Sequence, residues 1–183
     1  MLAALNIVAE KGSKEMGHID LEKLTPAEQI VAEDAEETGL LQGMLRNATD
    51  YLRGFRWCPP IDRIYLGCGV GGVVAVFLFH FRERVQGTEE WLWVVDGDLP
   101  TAYLVTERAP DPASALEIYC ELMDEWARAI LEGQSLDHVF PVEAKPTTAN
   151  AESLLKRLSF IKTELLPNWR INCPKRDRGQ PPV

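Results

Sequence analysis

Gly67-Cys68-Gly69-Val70-Gly71-Gly72, running into Val73-Val74-Ala75-Val76-Phe77-Leu78-Phe79-His80-Phe81, is the stretch whose reading decides the fold. Glycines after a short apolar run resemble a nucleotide-binding turn. In such a turn the next element is a helix whose N-terminus meets the ligand. Here the next residues are β-branched and aromatic, which predicts a strand. On that strand Ala75, Phe77, Phe79 and Phe81 point one way, and Val74, Val76, Leu78, His80 and Arg82 the other. Both sides are apolar at the start, so its first half is expected to be central and covered on both faces.

Working outward, Ile61 to Leu66 reads as a short strand before the glycines. Gln86-Gly87-Thr88-Glu89 is a turn, Trp91 to Val95 a strand, Asp96-Gly97-Asp98 a second turn, and Ala102 to Thr106 a further strand. Links this short make an antiparallel meander, since parallel strands need a crossover of about a dozen residues. Upstream, Thr25-Pro26 reads as a helix start, with an apolar stripe from Ile30 to Leu52 weakened at Gly39 and Gly43. Trp57 is expected to pack the proline-locked segment after Gly54 onto the core. Downstream, Asp111-Pro112 caps an amphipathic helix that Gly133 stops. A last helix runs from about Thr148 to Leu166, with Leu154, Leu158, Phe160 and Ile161 on its buried side, and Pro167 ends it. The expected fold is α+β: a three- or four-stranded antiparallel meander with helices packed on one face. Residues 1–24 read as a partly ordered arm, 25–169 as a single domain and 170–183 as a disordered tail.

The 183 residues carry 28 acidic and 19 basic side chains, a formal net charge of −9. That balance argues against nucleic acid, whose phosphates need clustered Lys and Arg, and suits a basic partner. The run from Val70 to Phe81 is too short to cross a bilayer. Met1 to Glu10 is short and mildly apolar, and does not read as a secretory leader. Cys58, Cys68, Cys120 and Cys173 form no CxxC pair or zinc spacing, so reduced thiols and a cytoplasmic location are expected.

The cofactor reading rests on Gly67, Gly69, Gly71 and Gly72. Gly67-x-Gly69-x-x-Gly72 matches a dinucleotide fingerprint, and Ile64 to Gly71 resembles the first motif of S-adenosylmethionine-dependent methyltransferases. Against it stand the Val- and Phe-rich segment that follows, the tight turn between later strands, and Tyr65 where that family places an acid. His18, His80 and His138 are isolated and suggest neither a triad nor a metal centre. Asp-Gly-Asp at residues 96–98 reads as turn chemistry. Trp91 and Trp93 share a strand face, usually core, but anchors for a partner where cover is incomplete.

The stretch Trp91-Leu92-Trp93-Val94-Val95-Asp96-Gly97-Asp98-Leu99-Pro100-Thr101-Ala102-Tyr103-Leu104-Val105-Thr106, followed by Ala109-Pro110-Asp111-Pro112, resembles a family of small bacterial cytosolic proteins without an assigned activity. The resemblance covers roughly residues 55–166 and implies an α+β domain, bringing no catalytic residues. The function expected is therefore non-enzymatic protein binding, with an immunity-type or regulatory role. No catalytic set, cofactor or metal is expected. A protein partner or a second copy would be held by Trp91, Trp93, Glu89, Glu90, Asp96 and Asp98. The alternative is an enzyme that binds S-adenosylmethionine or a nucleotide at the Gly67–Gly72 turn.

Overall fold

The computed structural model describes residues 19–85 and 89–171. Residues 1–18 of the expected arm and 172–183 of the expected tail lie outside the described residues. The elements, in chain order, are β1 (Thr25–Pro26), α1 (Ala35–Arg53), β2 (Ile61–Val70), β3 (Val74–Val85), β4 (Glu89–Gly97), β5 (Leu99–Val105), α2 (Pro112–Leu131), α3 (Thr148–Phe160) and α4 (Leu166–Ile171). One five-stranded sheet has the order β1-β2-β3-β4-β5, and every pairing is antiparallel. The apolar run after the glycines is thus a strand, and it is the middle one.

Several expectations are corrected. The strand count is five, because Thr25–Pro26 pairs with Leu66 and Tyr65 rather than starting a helix. That helix starts nine residues later, where Asp34 offers a better cap: its carboxylate accepts from the Glu37 N–H at 2.8 Å. Thr38 reinforces the start, its hydroxyl accepting from the Ala32 N–H and donating to the Asp34 carbonyl. The helices also cover both faces of the sheet. Ala75, Phe77, Phe79, Phe81, Leu92 and Val94 pack on Leu41, Met44, Ala48 and Leu52 of α1. Val74, Val76, Leu78, Trp93 and Val95 pack on Leu116, Tyr119 and Met123 of α2 and on Leu154 and Leu158 of α3. A central strand that is apolar on both sides would leave one side in water if all helices sat together.

Asp111 caps α2 as expected, accepting from the Ser114 N–H at 2.9 Å and the Ser114 hydroxyl at 2.7 Å. Pro167 does not end the last helix. A π turn over Ile161–Leu165 joins α3 to α4, its Leu166 N–H reaching back to the Ile161 carbonyl. The wider turn admits a proline that lacks a donor, and the helix continues to Ile171. Arg170, expected in the tail, pairs with Glu117. At the other end of the chain, Leu24 is buried in the α2-side core, with Ile19 and Leu21 packed against it.

Candidate functional site: an aromatic shelf on the sheet

Register places His80 opposite Arg63 on β2 and Trp91 on β4. A β-bulge between Ile61 and Arg63 interrupts the alternation of β2. Without it, Asp62 and Arg63 would point to opposite faces. With it, Asp62 turns to His80, its Oδ2 lying 3.2 Å from Nδ1. Arg63 and Arg82 approach the same carboxylate at 3.6 Å and 3.5 Å. The imidazole also packs on the Trp91 indole, with ring centroids 4.2 Å apart at 32°. Trp91 in turn tilts against Tyr65 at 6.2 Å. Tyr65, His80 and Trp91 are all half-buried and lie beside the core that α2 and α3 cover. They form an aromatic shelf with exposed Arg63 and Arg82 beside it.

What the shelf can do chemically is narrow. A His–Asp pair activates a nucleophile when a hydroxyl or thiol meets the other ring nitrogen. Here Nδ1 faces Asp62 and the ring lies against an indole, an arrangement that offers apolar surface. Among the described residues, no group of three or more His, Cys, Asp or Glu side chains is placed to hold a metal ion.

The residues expected to bind a partner separate. Trp91 and Glu90 lie at one end of β4, and Asp96 and Asp98 at the other. Trp93 is fully buried and donates its Nε1–H to the Ala109 carbonyl at 2.8 Å, so it is core and cannot anchor a partner. Asp96 is 3 % exposed and equally out of reach. Asp98 is exposed and paired with Arg157 at 2.7 Å. Glu89 opens β4 opposite Val85. Alternation places Arg82 on the face of His80, but sequence reasoning missed Asp62, Arg63 and Tyr65, which only the bulge and the register bring to His80 and Trp91.

The glycines are placed as follows. Gly67 and Gly69 lie within β2, not in a turn, and the chain turns at Gly71-Gly72-Val73, with Gly72 at φ +74°. A Cβ on Gly67 would come within 2.6 Å of Pro112, and one on Gly69 within 2.8 Å of Leu41. One on Gly71 would come within 2.9 Å of Glu37. These glycines let α1 and α2 close onto the sheet. The element after them is β3, so the turn does not lead into a helix.

Asp96 yields a stability prediction instead of a contact. Its Oδ1 accepts from the Thr101 hydroxyl at 2.6 Å, while Oδ2 is buried without a hydrogen-bond partner. Burial raises its pKa, opposed by Thr101, Asn47 and the Gly97 N–H. A raised carboxyl holds its proton in the fold at a pH where the unfolded chain has lost it. Its contribution to stability therefore falls as pH rises from the ordinary carboxylate range to the raised value, and stays low above. Asp96→Asn keeps the acceptor and carries no charge. It is expected to stabilise the protein by about 1 kcal/mol at neutral pH, with the gain vanishing near pH 4. Urea unfolding at both pH values checks this; a gain of equal size at both would refute it.

Burial likewise pushes the Cys120 thiol up to about 12, leaving it a small apolar group. Cys58 and Cys120 are free thiols, but Cys68 is disulfide-bonded, against the expectation of reduced cysteines throughout. Among the described residues no helix is long and apolar enough to cross a membrane. No protein-family model, curated protein or solved structure matches this chain.

Proposed function

We propose that this protein acts by binding another protein through the Trp91 shelf and is not an enzyme. The shelf carries the reading: an indole held by stacking on His80, flanked by Tyr65 and with Arg63 and Arg82 beside it, has the composition of an interface hot spot. The net charge of −9 favours a basic partner and speeds its approach. An immunity-type or regulatory role in a bacterial cytoplasm fits a small acidic binder of this kind. The Cys68 disulfide pulls toward an oxidising compartment instead. Alkylation of denatured extracts without reductant decides that point, since Cys68 is buried in the fold: a labelled Cys68 goes with the cytoplasm and a blocked one against it.

The experiment is affinity capture from the protein's own host, followed by titration of the captured partner against Trp91→Ala. A loss of about 2 kcal/mol in binding, or some 30-fold in Kd, is expected, against a loss of only about 1 kcal/mol in folding stability. A partner held equally by the variant would move the interface elsewhere. Recovery of the chain alone would point to a homodimer, which sedimentation at two concentrations reads directly. Thermal-shift measurements with S-adenosylmethionine and ATP test the enzymatic alternative at Gly67–Gly72. No shift at millimolar ligand is expected.

A further inference from the structure

The end of the sheet opposite the shelf holds an open cavity of about 320 Å³. It lies where the β2–β3 and β4–β5 turns meet α3. Val73, Leu99, Phe160 and Ile161 give it apolar walls, and Lys156, Arg157 and Asp98 stand at it as charged groups. Phe160, expected to be buried, is instead 49 % exposed, so a large apolar ring faces solvent there. Its neighbour Ile161 is fully buried and begins the π turn, an irregularity that recurs at functional sites. The Arg157 guanidinium is fixed by two bonds, from Nε to Asp98 at 2.7 Å and from a terminal nitrogen to Ser153 at 2.7 Å. Lys156 makes no ion pair among the described residues. The charged lining therefore sums to a single positive charge, in a chain whose formal net charge is −9.

From this we infer that the cavity binds a small amphipathic carboxylate, its hydrocarbon tail against Phe160, Leu99, Val73 and Ile161 and its carboxylate at Lys156. The volume is at the low end of the range for small-molecule sites, about 300–1,000 Å³, which suits a short-chain ligand. An apolar wall alone would accept any oily molecule. A lysine without a carboxylate partner beside an already neutralised Arg157–Asp98 pair selects one negative charge. Phosphate esters, nucleotides included, carry more charge than the site balances. The inference is independent of protein docking at Trp91, since the two sites lie at opposite ends of β4.

Calorimetric titration of the whole chain with octanoate tests it. Saturable binding of one octanoate per chain is expected, about threefold tighter for each methylene added from butanoate to octanoate. Octanol, with the same tail and no charge, is expected to bind at least tenfold more weakly. Lys156→Glu is expected to weaken octanoate at least tenfold and to leave octanol unchanged, while Phe160→Ser weakens both. Both positions are exposed, so neither variant endangers the fold. No saturable binding, equal affinity for octanol and octanoate, tighter binding of AMP than of octanoate, or an affinity insensitive to Lys156→Glu would each overturn the inference.

Discussion

Gly97→Ala is expected to destabilise the protein by about 3 kcal/mol or more, the largest effect of an added methyl group at any described glycine. Gly97 closes β4, paired with Val74 on one side and with Leu99 across the tight link to β5 on the other. A Cβ there would sit 2.2 Å from the Val73 carbonyl oxygen, 2.8 Å from the Val74 Cα and 2.9 Å from the Val73 carbonyl carbon. All three are backbone atoms, two from Val73 at the turn and one from Val74 at the start of β3, so no side chain can swing away to make room. Relief requires β3 and β4 to separate at a point that the Asp98 N–H also fixes, donating to the Val73 carbonyl at 3.0 Å. Gly39 is the internal control. It lies inside α1 with nothing within 4 Å of an added Cβ, and Gly39→Ala is expected to stabilise by about 0.5–1 kcal/mol through helix propensity. Urea unfolding of both variants measures the contrast. A Gly97→Ala protein within about 1 kcal/mol of the parent would show that the two hairpin ends are not held as tightly as the register implies.

The period of β3 was readable because a two-residue alternation needs no partner to be recognised. Phe77, Phe79 and Phe81 on one side and Val74, Val76 and Leu78 on the other are found in the two cores their parity assigns. The same alternation already required two covered faces, which the expectation of helices on a single face overlooked. Caps read well where one side chain is enough, as at Asp111. They failed where two candidates compete: Thr25-Pro26 has the right residue types, but its backbone is taken by pairing with β2. The candidate sites were less legible. Trp91 and Trp93 share a face and differ only in how far α2 and α3 reach along the sheet, which no local pattern encodes. Asp62 meets His80 through a bulge, and Lys156 reaches the cavity through helix placement; both are long-range facts of register and packing.

The contrast between Trp91 and Trp93 is also the sharpest check on the functional reading. Trp93→Ala is expected to cost about 3–5 kcal/mol, a large share of the roughly 5–15 kcal/mol that holds a domain of this size together. Its ring is fully buried among residues of β3, β5 and α2. Its Nε1–H satisfies the Ala109 carbonyl, two residues before the Asp111 cap of α2. Removing the side chain opens a cavity and orphans that carbonyl at the point where β4 is tied to the helix. Trp93→Phe keeps most of the volume and loses the donor, so it isolates the orphaned carbonyl at about 1–3 kcal/mol. Trp91→Ala removes the same side chain two residues away on the same face. Trp91 is half-buried and packs on rings that are themselves partly in water, and a loss of about 1 kcal/mol is expected. If denaturant unfolding gave Trp91→Ala a cost equal to that of Trp93→Ala, the shelf would be a rim of the core and not a docking surface. A small cost at Trp91 beside a large one at Trp93 leaves an indole that the fold can spare, which is the condition for a partner to use it.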